Sequence, residues 1–187
     1  MRVIAGKKRH LVLRAVKGDA VRPTTDRTKE TLFNVLNPNL VQCSFLDLFS
    51  GTGAIGIEAL SRGAEYVVFV ENAKESLECI KDNLKTTGLT EEARIVARDA
   101  ISALGILETE KRSFDIIFMD PPYNKELEKQ VLNRLSGSSL VTEDTIIVVE
   151  ASKETEFSYL SELGFECYKE KGYLNNKHVF IRPKGTE

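Results

Sequence analysis

The sequence predicts an α/β protein, a mostly parallel sheet with helices on both faces, preceded by a small basic segment. Three observations carry this. Beyond the first 40 or so residues, short apolar runs alternate with stretches of helical periodicity. Several runs end at an acidic residue, as at Glu71, Asp99 and Asp120. A glycine-rich turn, Gly51-Thr52-Gly53-Ala54-Ile55-Gly56, lies between the first run and the helix-period segment after it. At 187 residues the chain fits one domain with a modest extension, divided here as 1–40 (basic extension) and 41–187 (α/β body).

Arg2–Ala5 and Leu11–Val16 are β-like segments around Gly6-Lys7-Lys8-Arg9-His10, which predicts a basic hairpin. Lys17–Pro23 reads as a loop. Thr24 or Thr25 is placed to cap a helix running to Leu36, with Asp26 in its first turn. Leu32, Phe33 and Leu36 form its apolar stripe; Arg27 and Lys29 fall off it and are expected to meet solvent or a ligand. Pro38 ends the helix.

The body then reads as five strand–helix steps. Strands are expected at Phe45–Phe49, Tyr66–Val70, Arg94–Ala97, Phe114–Met119 and Thr145–Glu150. Helices are expected from the glycine turn to Arg62, from a capping-box-like Asn72/Glu75 start to Gly88, in a short piece before Phe114, over Glu126–Leu135, and over Thr155–Leu163 with Gly164 as its stop. Phe165–Lys171 and Lys177–Arg182 flank Leu174-Asn175-Asn176 as a closing hairpin that adds an antiparallel strand.

Composition narrows the function classes. No apolar run approaches the roughly 20 residues that span a bilayer, and the first residues lack the apolar core of a secretory signal. Cys43, Cys79 and Cys167 are too widely spaced for a metal or redox motif, so buried reduced thiols in a cytoplasmic protein are expected. His10 and His178 have no ligand-like neighbours, and no metal is expected. The net charge of −2 hides an asymmetry: residues 1–30 carry nine Lys/Arg against three acids, +6, which leaves −8 for the rest. A basic arm on an acidic body suits a polyanionic partner held at one end, unless it is simply a solvated terminus.

The glycine turn matches G-x-G-x-x-G between strand and helix, with Glu71 twenty residues beyond Gly51 at the next strand end. Glycines let backbone approach a ligand, and a carboxylate there accepts bonds from ribose hydroxyls. A dinucleotide fits this pattern, and so does S-adenosylmethionine. Asp47, just ahead of the turn, would orient the loop and favour a cation over a pyrophosphate. Arg98-Asp99-Ala100 offers a carboxylate for an adenine amino group. The chain is short for a dehydrogenase with its own substrate domain.

Asp120-Pro121-Pro122-Tyr123 closes the fourth run. The prolines stiffen the turn and remove its donors, leaving the Asp120 carboxylate and the Asp120 and Pro121 carbonyls as acceptors beside the Tyr123 ring. Rigid acceptors next to an aromatic plane suit a flat molecule bearing an NH2 group, such as a nucleobase. The alternative is a proline turn with Tyr123 as ordinary packing.

At these residues the chain resembles the class I S-adenosylmethionine-dependent methyltransferases, and more narrowly the bacterial RsmD-type 16S ribosomal RNA guanine-N2 methyltransferases. The carriers are Arg2-Val3-Ile4-Ala5-Gly6, Arg22-Pro23-Thr24-Thr25-Asp26-Arg27, Leu46–Gly53 with Gly56 and Glu58-Ala59, and Asp120–Tyr123. The last motif is shared with amino-group methyltransferases acting on DNA, RNA and protein, so the basic amino-terminal stretches point to the narrower family.

The resemblance implies a Rossmann-like seven-stranded sheet with an antiparallel last strand. It implies S-adenosylmethionine held by Asp47, Ser50, Gly51, Thr52, Gly53, Glu71, Asn72, Asp99, Ala100 and Asp120, and catalysis by Asp120, Pro121 and Tyr123. Phosphates of 16S rRNA, in the small ribosomal subunit or an assembly intermediate, would meet Arg2, Lys7, Lys8, Arg9, Arg14, Arg22 and Arg27. The rivals are a DNA adenine-N6 methyltransferase using the same tip and a non-catalytic RNA-binding assembly factor.

Overall fold

The computed structural model describes residues 1–16, 26–123 and 125–185. Its centre is one seven-stranded sheet: β1 (Ser44–Leu48), β2 (Tyr66–Glu71), β3 (Ala93–Ala97), β4 (Ile116–Met119), β5 (Ile146–Ser152), β6 (Phe165–Gly172) and β7 (Asn176–Pro183). The spatial order is β3-β2-β1-β4-β5-β7-β6. The first five strands are mutually parallel, and β7 runs antiparallel between β5 and β6. Each parallel step crosses over through a helix: α2 (Ala54–Arg62), α3 (Lys74–Thr87), α4 (Ala100–Thr109) and α5 (Leu127–Leu135). With the preceding α1 (Asp26–Leu36), this is the Rossmann-like seven-stranded arrangement with an antiparallel last strand that the sequence implies.

The period-two alternation of the strands splits the core into two layers. Phe45, Val67, Phe69, Ile116, Phe118, Val148 and Phe180 face one side, where Leu32, Phe33 and Leu36 of α1, Ile57 and Leu60 of α2, and Ile80 and Leu84 of α3 cover them. Leu46, Leu48, Val68, Val70, Ile117, Met119, Ile147 and Val149 face the other, under Leu104 and Leu107 of α4 and Leu132 and Leu135 of α5. Strands buried on both faces explain why they read as continuous apolar runs.

The amino-terminal segment joins the first layer through Val3 and Leu13. The expected hairpin is reduced to a single bridge, Arg2 with Val12. The segment docks on α2 instead of pairing with itself at length. Glu58 of α2, fully buried, accepts from the Ile4 and Ala5 amides at 2.8 and 3.0 Å, and Ser61 Oγ donates to the Ala5 carbonyl at 2.6 Å. Gly6, at φ +82°, sits so close to Ser61 that a Cβ would lie 1.8 Å from its carbonyl oxygen.

Four local expectations are corrected. Lys29 is buried, not free: its Nζ reaches Glu58 Oε2 at 3.4 Å and donates to the Arg2 carbonyl at 2.6 Å. Helix α3 is capped by Ala73 with no side-chain bond, not by an Asn72/Glu75 pair; the Asn72 and Ala73 amides ahead of it go to Glu71 instead. The helix expected from Thr155 is only a 3-10 segment, Ser158–Leu163, because Ser152 and Thr155 bond to each other in a turn. Cys43 and Cys79 are buried, but Cys167 is exposed. The Thr24/Thr25 cap and the Lys17–Pro23 loop lie outside the described residues. Among the described residues no helix is long and apolar enough to cross a membrane.

Candidate active site

The strand order reverses direction between β1 and β4, and a ligand of an open α/β sheet binds in the crevice at the carboxyl ends beside such a switch. Leu48 pairs with Met119, so the glycine turn after β1 and the Asp120–Tyr123 tip after β4 leave the sheet side by side, about 4.8 Å apart in strand spacing. The two motifs therefore open at the same edge.

The turn itself is tightly specified. Phe49 has φ +61°, a left-handed conformation that costs a non-glycine residue about 1–2 kcal/mol and turns the chain sharply off β1. Ser50 Oγ donates to the Asp47 carbonyl at 2.7 Å and accepts from the Val70 amide at 3.0 Å, which ties the turn to β2. Gly51 and Gly53 both have positive φ, +55° and +76°, and nothing lies within 4 Å of a Cβ at Gly51. Thr52 is fixed from behind, its carbonyl accepting from Asn83 Nδ2 at 2.9 Å. At Gly56 a Cβ would meet the Phe69 ring at 2.4 Å, so glycine is what lets α2 lie close on β2.

Two carboxylates hold this loop. Glu71, at the end of β2, accepts from Gly51 N at 2.9 Å and from Asn72 N and Ala73 N at 2.8 and 2.9 Å. Three of its roughly four acceptor positions are engaged by backbone, so it joins the loop to the start of α3. Asp47 is buried and accepts from Gly56 N at 3.1 Å. Burial pushes its carboxyl up to about 8; the Gly56 amide pulls the other way and the Glu71 charge adds to the rise. At neutral pH it largely keeps its proton, so it shapes the loop more than it supplies charge. An open glycine backbone with a half-buried carboxylate at the next strand end fits the ribose and amino-acid parts of S-adenosylmethionine.

Asp99 caps α4, accepting from Ser102 N at 2.9 Å, and these bonds hold its carboxyl below the usual range. It is exposed at the end of β3 with Ala100 buried behind it, on the same edge as Glu71. At the β4 tip Asp120 is half-buried, Pro121 is buried and Tyr123 is 41% exposed. Burial raises the Asp120 proton affinity well above the carboxylate norm, and the nearby Glu150 and Asp47 raise it further.

The cations expected to meet RNA are not one patch. Arg2 pairs with Asp26 at 3.0 Å, and Arg14 pairs with Asp82. Arg27 is exposed at the amino-terminal end of α1, next to the Asp26 that pairs with Arg2, and Met1 ahead of Arg2 takes a bond on its sulfur from Thr52 Oγ1 of the glycine turn. Lys7 and Lys8 lie at the lower end of α2, where Lys7 N donates to the Ser61 carbonyl at 2.7 Å and Lys7 Nζ pairs with Glu92 at 3.1 Å. That is the end of the sheet away from Asp120. Arg9 is exposed in the same turn, and Arg22 lies outside the described residues.

Two arrangements were missed from sequence. One is the buried Lys29–Glu58–Arg62 cluster, with Arg62 Nε at 2.8 Å from Glu58. The other is Glu150, two residues before the end of β5, paired with His178 of β7 at 3.0 Å. The signal for Glu150 was present, since Ile146-Ile147-Val148-Val149-Glu150 repeats the apolar-run-then-acid pattern of Glu71 and Asp120.

The family described as "Conserved hypothetical protein 95" matches residues 1–182. The chain is 42% identical over 156 residues to "Putative rRNA methyltransferase YlbH" of Bacillus subtilis, covering 83% of this chain and 85% of that one. It is 36% identical over 155 residues to "Ribosomal RNA small subunit methyltransferase D" of Haemophilus influenzae, covering 82% and 80%. The solved "Putative methyltransferase yhhF from Escherichia coli" superposes with a TM-score of 0.84 at 30% identity, covering 100% of this chain and 99% of that one. With the switch-point geometry above, these likenesses agree: the chain belongs to the Conserved hypothetical protein 95 family, which it shares with the ribosomal RNA small subunit methyltransferase D proteins.

Proposed function

We propose that the protein methylates ribosomal RNA, using S-adenosylmethionine, at the exocyclic N2 amine of a guanine in the 16S rRNA of the small subunit. The observation that carries this is the Leu48–Met119 pairing, by which the glycine turn after β1 leaves the sheet next to the acceptor-rich Asp120–Tyr123 tip after β4. The relatives' names support rRNA as the substrate class, and the acceptors at the tip support an amine as the target.

S-adenosylmethionine, when bound, supplies an electrophilic methyl group. The chain's own residues do the rest. The guanine N2 lone pair is delocalised into the ring and is a poor nucleophile. The Asp120 carboxylate and the Pro121 carbonyl, accepting from the two amine hydrogens, draw the nitrogen towards tetrahedral geometry and aim its lone pair. Asp120 also stabilises positive charge growing on the nitrogen and accepts the proton shed afterwards. Tyr123 stacks on the base, which must be unstacked from its neighbours; a loop nucleotide makes that cheaper. Arg2, Arg14, Arg22 and Arg27 hold phosphates, with Lys7, Lys8 and Arg9 reaching RNA further from the reacting base.

The test is transfer of labelled methyl groups to unmodified 16S rRNA, small-subunit particles and DNA, followed by mass spectrometry of the nucleosides. N2-methylguanosine from RNA or particles is the expected product. N6-methyladenine in DNA would favour the DNA enzyme, and no transfer with retained RNA binding would favour an assembly factor.

A further inference from the structure

The face of the sheet under α1–α3 ends in a row of ionisable groups that the mechanism above uses only in part. Strand alternation puts Asp47 on the face of Phe45, Glu150 on that of Val148 and His178 on that of Phe180, all in one core layer. Met119 pairs with Val149, so Asp120 and Glu150 are the next residues on neighbouring strands, and Glu150 pairs directly with His178. Glu150 is only 5% exposed and His178 is fully buried. Both Glu150 oxygens are engaged: Asn176 Nδ2 donates to Oε1, and His178 Nε2 lies 3.0 Å from Oε2. His178 Nδ1 meets the Tyr173 hydroxyl at 2.9 Å. A carboxylate only accepts, so Nε2 carries the hydrogen, and in the neutral ring Nδ1 accepts from Tyr173.

Resting on the methyl-transfer reading, we propose that Glu150, fixed by His178 and Asn176, is a positioning residue of the active site. It keeps a buried negative charge beside Asp120 and makes Asp120 the acceptor of the proton that the amine sheds. A buried carboxylate is costly unless hydrogen-bonded, and this one receives donors at both oxygens. Its neighbour is the one group at the tip able to take a proton. Asp47 faces Asp120 from β1, Glu150 from β5, and His178 with Tyr173 stands behind Glu150; Lys177, next along β7, turns to Glu170 at 3.3 Å. In the step itself the nitrogen forms its bond to the methyl carbon, and the carbon–sulfur pair leaves with sulfur. The N–H electron pair stays on nitrogen as the proton goes to an Asp120 oxygen. A base held above the ordinary carboxylate range by burial and by Glu150 takes a proton more readily than an ordinary carboxylate.

The test reads Asp120 directly. Carbon-13 NMR of side-chain carboxyls in the protein alone, with Asp120 identified by its loss in Asp120→Asn, gives its titration midpoint in wild type, Glu150→Gln and His178→Asn. Removing the carboxylate, or one of the side chains that fix it, lowers the midpoint by about one pH unit or more in Glu150→Gln and by less in His178→Asn. The acid limb of the methyl-transfer rate moves to lower pH in the same order, while S-adenosylmethionine affinity stays within about threefold. An Asp120 midpoint unmoved in Glu150→Gln overturns the proposal, and should that variant not fold, His178→Asn decides by the same criterion. A moved midpoint with an unmoved rate limb overturns it too. Wild type that transfers no methyl at any pH overturns the functional reading and this inference with it.

Discussion

Gly51 N donates to Glu71 Oε2 at 2.9 Å, so the first residue of the glycine turn and the carboxylate ending the next strand are one unit. The same carboxylate takes the Asn72 and Ala73 amides just ahead of α3, where an anion also complements the helix dipole. Glu71→Ala is therefore expected to loosen the loop as well as remove a ribose acceptor. Calorimetry should show S-adenosylmethionine affinity falling by about 10- to 100-fold, or about 1.4–2.7 kcal/mol. Unchanged affinity would contradict the ribose role.

Glu58 is the staple between the amino-terminal segment and α2. It is fully buried, meets Lys29 and Arg62, and accepts two backbone amides. Burial lowers the Lys29 proton affinity, and Glu58 only partly restores it. Glu58→Ala leaves a buried ammonium with one carbonyl for company, and should cost about 3–5 kcal/mol in urea unfolding. Asp26→Ala, which breaks the exposed pair with Arg2, should cost under about 1 kcal/mol.

Asp47 predicts a pH dependence. Its carboxyl holds a proton up to about 8 in the folded chain, against about 3.9 when unfolded. Between those values the folded chain binds a proton that the unfolded chain releases, so stability falls as pH rises, by up to about 1.4 kcal/mol per pH unit. The effect is absent below the unfolded value and complete above about 8. Asp47→Asn keeps an oxygen for Gly56 N and removes the titration. It should be more stable than wild type at pH 8 and similar near pH 4, as read from urea midpoints at both.

The split of the basic residues gives a different test. Arg27→Ala should reduce the slope of log affinity against log salt for 16S rRNA by about one, since Arg27 stands at the end of α1 nearer the glycine turn. Lys7→Ala, at the lower end of α2 and already paired with Glu92, should change the slope by less. Equal effects would mean that RNA runs along the whole amino-terminal segment.

Much of this was legible in the chain. Runs such as Ile116–Met119 are apolar because both faces are covered, and the acids that follow them stand out in the sequence. The glycine turn declared itself because Gly51 and Gly53 adopt positive φ and Gly56 admits the Phe69 ring. What stayed hidden depends on partners distant in sequence. Lys29 looks like a surface lysine until Glu58 arrives from another helix. His178 looks isolated until β7 brings it against Glu150. Asn72 and Glu75 read as a cap for α3 because local pairs are visible in sequence, whereas Glu71 binds backbone on both sides, at Gly51 and at Asn72.

The central claim is that Asp120 works on an amine while the neighbouring turn holds the methyl donor. It is tested most directly by Asp120→Ala, with labelled transfer to unmodified small-subunit particles and S-adenosylmethionine affinity measured on the same preparation. The account predicts transfer reduced by at least about 100-fold with affinity within about threefold of wild type. Full turnover in Asp120→Ala would contradict it.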